Sequence, residues 1–133
     1  AFDGDADRVF FVDENGKVVN SSLIAALLTK KILRKHKGSK IIHNLVCSRI
    51  VPETIKKFGG KAHIERVGHS FIKDTMRKIG AVFACEHSAH YYFKHNFNAD
   101  SGLIATLDSC KLISFGTPIV KDFLPFNIFA GDS

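Results

Sequence analysis

A chain of 133 residues, 45% hydrophobic and with only 3 prolines, is long enough for one domain with its own core and too short for two comfortable ones. Nineteen basic against thirteen acidic residues give a net charge of +6, which favours acidic partners such as a phosphorylated metabolite; the basic residues are spread through helical segments such as "TKKILRKHKGSK", as a solvated face, rather than gathered in an arm for nucleic acid. Three distant cysteines indicate neither a disulfide framework nor a zinc site and fit a reducing cytoplasm, and apolar runs such as "LIAALL" fall far below the roughly 20 residues a membrane span needs, so a soluble chain is expected.

Short β-rich runs alternate with amphipathic helical patterns along the chain, the signature of an α/β domain. "RVFFV" and "KVV" flank the turn-forming Asn15-Gly16 and predict a hairpin. A helix is predicted over residues 21 to 37, capped by Asn20 or Ser21, with Leu23, Ile24, Leu27, Leu28 and Ile32 at helical spacing and Gly38 closing it. Then follow a strand at "KIIHNL", a loop at "CSR", a helix that tolerates Pro52 in its first turn and ends at "FGGK", and a strand at "AHIERV". "GHSFIKDTMRKIG" predicts a third helix ending at Gly80, "AVFAC" a strand, and "DSGLIATLDSCKLIS" a fourth helix capped by Asp100 or Ser101. One helical turn is expected in "GTPIVKDFLPF". A seam is expected near Gly38-Ser39, and the strand ending at Ala1-Phe2 reads as cut short, so the chain looks like a fragment that starts inside one domain and holds the whole of the next.

The opening "FDGDADRVFF" carries the chemistry. Asp3, Asp5 and Asp7 alternate in a tight glycine-containing loop, where three carboxylates can turn toward one point, and hard oxygen ligands select a hard cation such as Mg²⁺. Arg8 beside them can balance charge or hold a phosphate. A solvated acidic turn is the plainer alternative. A calcium loop of the EF-hand type also fits Asp3, Asp5, Asp7 and Glu14, but its sixth position requires glycine and here is Arg8. An aspartyl-phosphate phosphatase loop would follow an apolar strand, of which only Ala1 and Phe2 are present to judge.

"DGDADR" resembles the magnesium loop of the α-D-phosphohexomutases, in the phosphomannomutase/phosphoglucomutase branch. Further motifs follow in that family's order: "RVGHSFIK" (66–73) is similar to its third-domain phosphosugar loop, "CEHSAHYYF" (85–93) to its sugar-recognition loop, "NADSGLIA" (98–105) to the helix start after it, and "GTPIVKDFLPF" to the end of the third domain. The resemblance implies a mixed four-stranded sheet flanked by helices, preceded by a partial α/β piece, with residues 1–38 ending the second domain and 39–133 forming the third. It implies an enzyme that moves a phosphoryl group between C1 and C6 of a hexose through a phosphoserine and a bisphosphorylated sugar, with mannose or glucose 1- and 6-phosphates as partners and no nucleic acid or membrane. Domains 1 and 4, with the serine and the second phosphate grip, would be missing partners, so the chain alone is expected to be inactive.

Residue by residue, the metal would bind Asp3, Asp5 and Asp7, and Arg8 would support phosphoryl transfer. Glu86 and Ser88 suit the recognition of sugar hydroxyls. His69 opens a helix, where backbone N–H groups favour an anion, and Lys73 lies one turn further on. His90 matches a histidine near the reacting centre, suited to general acid or base work. Arg49 would be the cationic contact from the "NLVCSR" loop, where some relatives carry a lysine at the place of Val46. His36, His43, His63 and His95 read as surface or core residues.

The sugar loop departs from the pattern Gly-Glu-x-Ser-Gly-His: Cys85 and Ala89 stand for the two glycines, and Ala89 would be strained if its position requires positive φ. Ala6 and His87 argue against the glucosamine branch. Two functional classes remain, the enzyme piece described and a non-catalytic module that binds phosphosugar or Mg²⁺ without turnover.

Overall fold

A computed structural model describes residues 1–5, 7–13 and 15–114, the last five by their backbone alone. Within these residues a mixed five-stranded sheet runs in the order β2-β1-β3-β4-β5. The elements are α1 (Ser21–Lys35), β1 (Lys40–Asn44), α2 (Ile50–Lys57), β2 (Lys61–Glu65), α3 (His69–Ile79), β3 (Phe83–Cys85), β4 (Tyr91–Phe93), β5 (Ala99–Asp100) and α4 (Gly102–Ser114), with a 3-10 turn at Lys94–Asn96. Strand β1 runs parallel to β2 and β3, while β4 pairs antiparallel with both β3 and β5. The expected fold class holds, with one correction: the sheet has five strands rather than four, because residues 99–100 add a short edge to β4. No helix among the described residues is long and apolar enough to cross a membrane.

Period-two alternation divides the sheet into two faces. Ile41, Phe83, Cys85, Tyr91 and Phe93 point into one core with α1, α2 and Ala105 of α4. Ile42, Ala84 and Tyr92 point into the other, against Ile72 and Met76 of α3. The parallel connections therefore place α2 and α3 on opposite faces. Such a winding leaves the carboxyl ends of β1, β2 and β3 and the loops that follow them along a single edge, where open α/β sheets commonly bind ligands.

Helix α1 follows its predicted start. The Asn20 side chain accepts from the Ser22 N–H at 2.8 Å, and the helix stops two residues earlier than expected, with Gly38 in the left-handed region beyond it. Its surroundings differ from the expectation, however. Residues 22–30 are all buried, because α1 is packed against α2, α4 and β3. Lys30 does not belong to a solvated face: it is 7% exposed, with its ammonium 5.6 Å from the centre of the Phe58 ring. Lys31 pairs with Asp108 of α4 at 2.5 Å, so exposure begins only at Arg34. The helix expected before the seam at residue 38 thus shares its core with the elements after it.

The predicted hairpin forms its turn but not two strands. Asp13 N–H donates to Lys17 O, Val19 N–H donates to Phe11 O, and Gly16 adopts φ 78°, yet the pairing is an isolated bridge, Val12↔Val18. A two-stranded ribbon without a third strand gains little regular ladder. Helices α2, α3 and α4 lie where predicted; Gly80 is the left-handed C-cap of α3, and Ser101 rather than Asp100 caps α4, accepting from Ile104 N–H at 3.1 Å. The segment "GTPIVKDFLPF" lies outside the described residues.

Gly60 marks the tightest junction between α2 and the sheet. A Cβ placed there would meet Leu33 Cδ1 at 2.7 Å and Cδ2 at 2.9 Å, and Ile55 Cγ2 at 3.0 Å, all on fully buried side chains. Gly60→Ala is therefore expected to lower stability by about 1–3 kcal/mol in urea denaturation, the usual cost of overpacking. Leu33→Ala in the same chain should make the two changes less than additive, since it empties the contested space.

Candidate active site

The loop after β3 is the centre of the site. Glu86 N–H donates to His90 O at 3.0 Å and Ala89 N–H to Glu86 O at 3.2 Å, closing a three-residue hairpin between β3 and β4. Loops of this length end on a left-handed residue, and Ala89 takes it at φ 68° while fully buried. The strain expected from the missing glycine is therefore present, of the order of 1–2 kcal/mol for a residue with a Cβ.

Glu86 is 3% exposed, and both its carboxylate oxygens are engaged. Oε1 accepts the Gly68 N–H at 3.1 Å and Oε2 accepts the Tyr92 hydroxyl at 2.8 Å. Burial, then the carboxylate beside it, pushes the Tyr92 phenol upward, so the tyrosine remains a donor. His90 lies over the same group, with Nδ1 3.4 Å from Glu86 Oε2 and 2.9 Å from Ser88 Oγ. Its Nε2 faces Asp7 Oδ2 at 3.4 Å and Asp100 Oδ2 at 3.9 Å. Lys73 of α3 reaches the other oxygen of Asp100 at 3.5 Å.

A backbone bridge, Arg8↔His90, joins the opening loop to this hairpin. Within the opening loop, Arg8 Nε donates to Asp3 Oδ2 at 2.7 Å and its backbone N–H to Oδ1 at 3.3 Å. Asp3, Asp5 and Asp7 each offer an oxygen within 4.8 Å of the others'. The two engaged carboxylates respond in opposite ways: the Arg8 guanidinium holds Asp3 down at about 2, whereas burial, then the neighbouring Asp3 and Asp5, raises Asp7. Asp7 Oδ1 is buried with no hydrogen-bond partner among the described residues. A buried carboxylate oxygen without a hydrogen bond, among like charges, is what an oxygen-seeking divalent cation would satisfy, so these residues fit one.

The structure brings together Asp3, Asp5, Asp7, Arg8, Glu86, Ser88 and His90, and links Lys73 to them through Asp100. It does not bring in Arg49 or His69 directly. Arg49, at the start of α2, is 88% exposed and forks onto Glu53. His69 is exposed at the first residue of α3, next to Gly68, whose N–H holds Glu86. Both nevertheless stand on the carboxyl edge of the sheet. Sequence reasoning missed Asp100, taken for a helix cap, together with Tyr92 and Gly68. The signal for Asp100 was its place in "NADSG", where Ser101 already supplies a cap. The start of α1 ties these loops down: Ser21 Oγ donates to His87 O, the Tyr91 hydroxyl donates to Ser21 O, and Ser48 N–H donates to Ser22 Oγ.

Residues 20–121 match the family model for phosphoglucomutase/phosphomannomutase, alpha/beta/alpha domain III. The chain is 49% identical over 104 residues to a phosphomannomutase of Methanocaldococcus jannaschii, covering 78% of this chain and 23% of that protein. It is 41% identical over 119 residues to a phosphomannomutase of Vibrio cholerae, covering 90% and 26%. Among solved structures, a phosphoglucomutase/phosphomannomutase family protein from Burkholderia thailandensis superposes with a TM-score of 0.75 at 32% identity, covering 80% of this chain and 23% of that one. The chain thus spans about a quarter of the length of the curated relatives it matches.

Two substitutions probe the site's electrostatics. Because the folded-state pKa of Asp3 is depressed, its pairing favours the fold above the ordinary 3.8, and that contribution is lost as pH falls toward about 2. In Arg8→Met the Asp3 carboxyl, followed by carbon-detected NMR, is expected to titrate close to 3.8 instead of about 2. Glu86→Gln turns an acceptor-only group, set between two donors, into one that must present an NH₂ to one of them. A loss of about 1.5–3 kcal/mol in chemical denaturation is expected, as for a hydrogen bond to a buried charge.

Proposed function

The chain belongs to the phosphoglucomutase/phosphomannomutase family, and from that premise we propose that it is part of a mutase interconverting hexose 1-phosphates and hexose 6-phosphates through a phosphoserine and a bisphosphorylated sugar. One observation carries the reading. The opening aspartate loop and the hairpin after β3, 82 residues further on in the chain (from Arg8 to His90), meet at the Arg8↔His90 bridge, which sets Asp7 and His90 3.4 Å apart. A cation-fitting group and an imidazole converge on one place, as transfer of a phosphoryl group to or from a sugar hydroxyl requires.

In this proposal Asp3, Asp5 and Asp7 hold Mg²⁺, which would supply charge stabilisation to the phosphoryl group. Arg8 would balance the loop's charge, and His90 would hold or release the proton of the reacting hydroxyl. Glu86 and Ser88 would accept and donate hydrogen bonds to the sugar. A carboxylate offers about four acceptor sites, and Gly68 and Tyr92 occupy two of Glu86's. His69 and Lys73 would meet the phosphosugar from α3, with Arg49 as an exposed cation at the end of the β1 loop. The exposed positions of Arg49 and His69 on the carboxyl edge support an encounter role. Residues 1–38 would end the preceding domain and 39–133 form the next one, as the sequence suggests; the core that α1 shares with the sheet, and a family match that starts at residue 20, support counting α1 with the second of these.

The test is a titration of the chain followed by amide NMR. Mg²⁺ is expected to shift residues 3–8 with a millimolar dissociation constant, worth about 4 kcal/mol, and Asp5→Asn should remove that response. Glucose 1-phosphate or mannose 1-phosphate should shift residues 68–73 and 86–90. Sugar-phosphate shifts confined to other surfaces, or Mg²⁺ shifts unaltered by Asp5→Asn, would overturn the assignment.

A further inference from the structure

Two thiols stand side by side at the carboxyl edge of the sheet, and the reaction proposed above uses neither. Cys85 ends β3, is fully buried, and is paired in register with His43 of the neighbouring β1. Cys47 lies in the turn that leaves β1 and is half-buried against the same core. The turn folds it back over β3: its N–H donates to Asn44 O and Asn44 Oδ1, and its Sγ lies 3.9 Å from the Cys85 carbonyl oxygen.

We propose that Cys47 and Cys85 form a reversible disulfide on exposure to a peroxide, tying the loop that carries Arg49 to the strand end that carries Glu86. Their different surroundings set the order of events. The Cys85 thiol against it, more than any other group, holds Cys47 below the usual thiol range, while that same contact, with burial, holds Cys85 well above it. Cys47, as the more acidic and more accessible thiol, attacks one oxygen of hydrogen peroxide as thiolate and becomes a sulfenic acid, while the other oxygen leaves as hydroxide and takes up a proton to become water. The Cys85 sulfur then displaces the second oxygen as water, so two thiols and one peroxide give one disulfide and two waters. A thiol reductant reverses the change. The bond's effect on sugar-phosphate binding rests on the function proposed above; its formation does not.

Peptide mapping without reductant, after treating the whole chain with dilute hydrogen peroxide, tests the proposal. The expected result is a crosslinked Cys47–Cys85 peptide, a fall in free thiols from three to one per chain, and full recovery in dithiothreitol. In Cys85→Ala a sulfenic acid trapped by dimedone should accumulate at Cys47, and in Cys47→Ser the Cys85 thiol should survive the same dose. Sulfinic acid at Cys47 with Cys85 still free, a crosslink to Cys110 or to a second chain, or no thiol loss would each overturn it. If the crosslink forms but leaves glucose 1-phosphate shifts at residues 86–90 unchanged, the modification site stands and the link to the sugar loop falls.

Discussion

A buried carboxylate without partners is among the costliest groups a small domain can hold, and the arrangement of this one follows from how the Glu86 charge is satisfied. Its two donors come from different elements: the Gly68 N–H closes off the exit of β2, and the Tyr92 hydroxyl reaches back from β4. One side chain thus fixes the positions of three loop ends that the sheet alone would only bring near one another. Gly68 has to be glycine for this, since its φ of 133° lies outside what a side chain tolerates and a Cβ would stand 2.9 Å from Phe71 Cδ2. His90 inherits its place from the same constraint, because the hairpin that begins at Glu86 ends on it.

The cost of that hairpin is visible at Ala89. The loop has the length that calls for a left-handed final residue, and the chain supplies alanine where glycine would be free of strain. What holds it there is burial on both sides of the turn and the two backbone hydrogen bonds that close it. Removing the methyl would relieve the backbone but also take a buried group from the core, about 0.8 kcal/mol against about 1–2, so burial offsets only part of the strain. This is why an alanine persists at a position that favours glycine without unfolding the loop.

Much of this was legible in the sequence because it rests on local chemistry. Asn20, Gly38, Gly80 and the apolar spacing of α1 are signals read within a few residues, and each marks the boundary it predicted to within two residues. The clustering of Asp3, Asp5 and Asp7 and the left-handed backbone at Ala89 are likewise set within a few residues. What escaped is long-range. Strands β4 and β5 are three and two residues long, too short to show alternation, and exist only because β3 offers an edge to β4 and β4 one to β5. Lys30 reads as a solvated cation until α2 covers it, and Asp100 reads as a cap until β5 turns it toward His90 and Lys73. Helix α1 reads as amphipathic, yet elements from both directions along the chain enclose it, which no pattern inside residues 21–37 records.

The charge pattern of the opening loop supplies the last step. One guanidinium serves one aspartate closely, and the depressed pKa of Asp3 marks where Arg8 spends its charge. Asp7 receives little from it, at 3.9 Å, and finds its nearest remaining partner in His90 Nε2 at 3.4 Å. Carboxylates face both nitrogens of the His90 ring, Asp7 and Asp100 at Nε2 and Glu86 at Nδ1, so the imidazole is held between the aspartate loop and the sugar hairpin. Under the proposed assignment Asp7 would serve a divalent cation with Asp3 and Asp5 while still standing beside His90, so one side chain ties the metal loop to the hairpin and the link needs no motion of the fold.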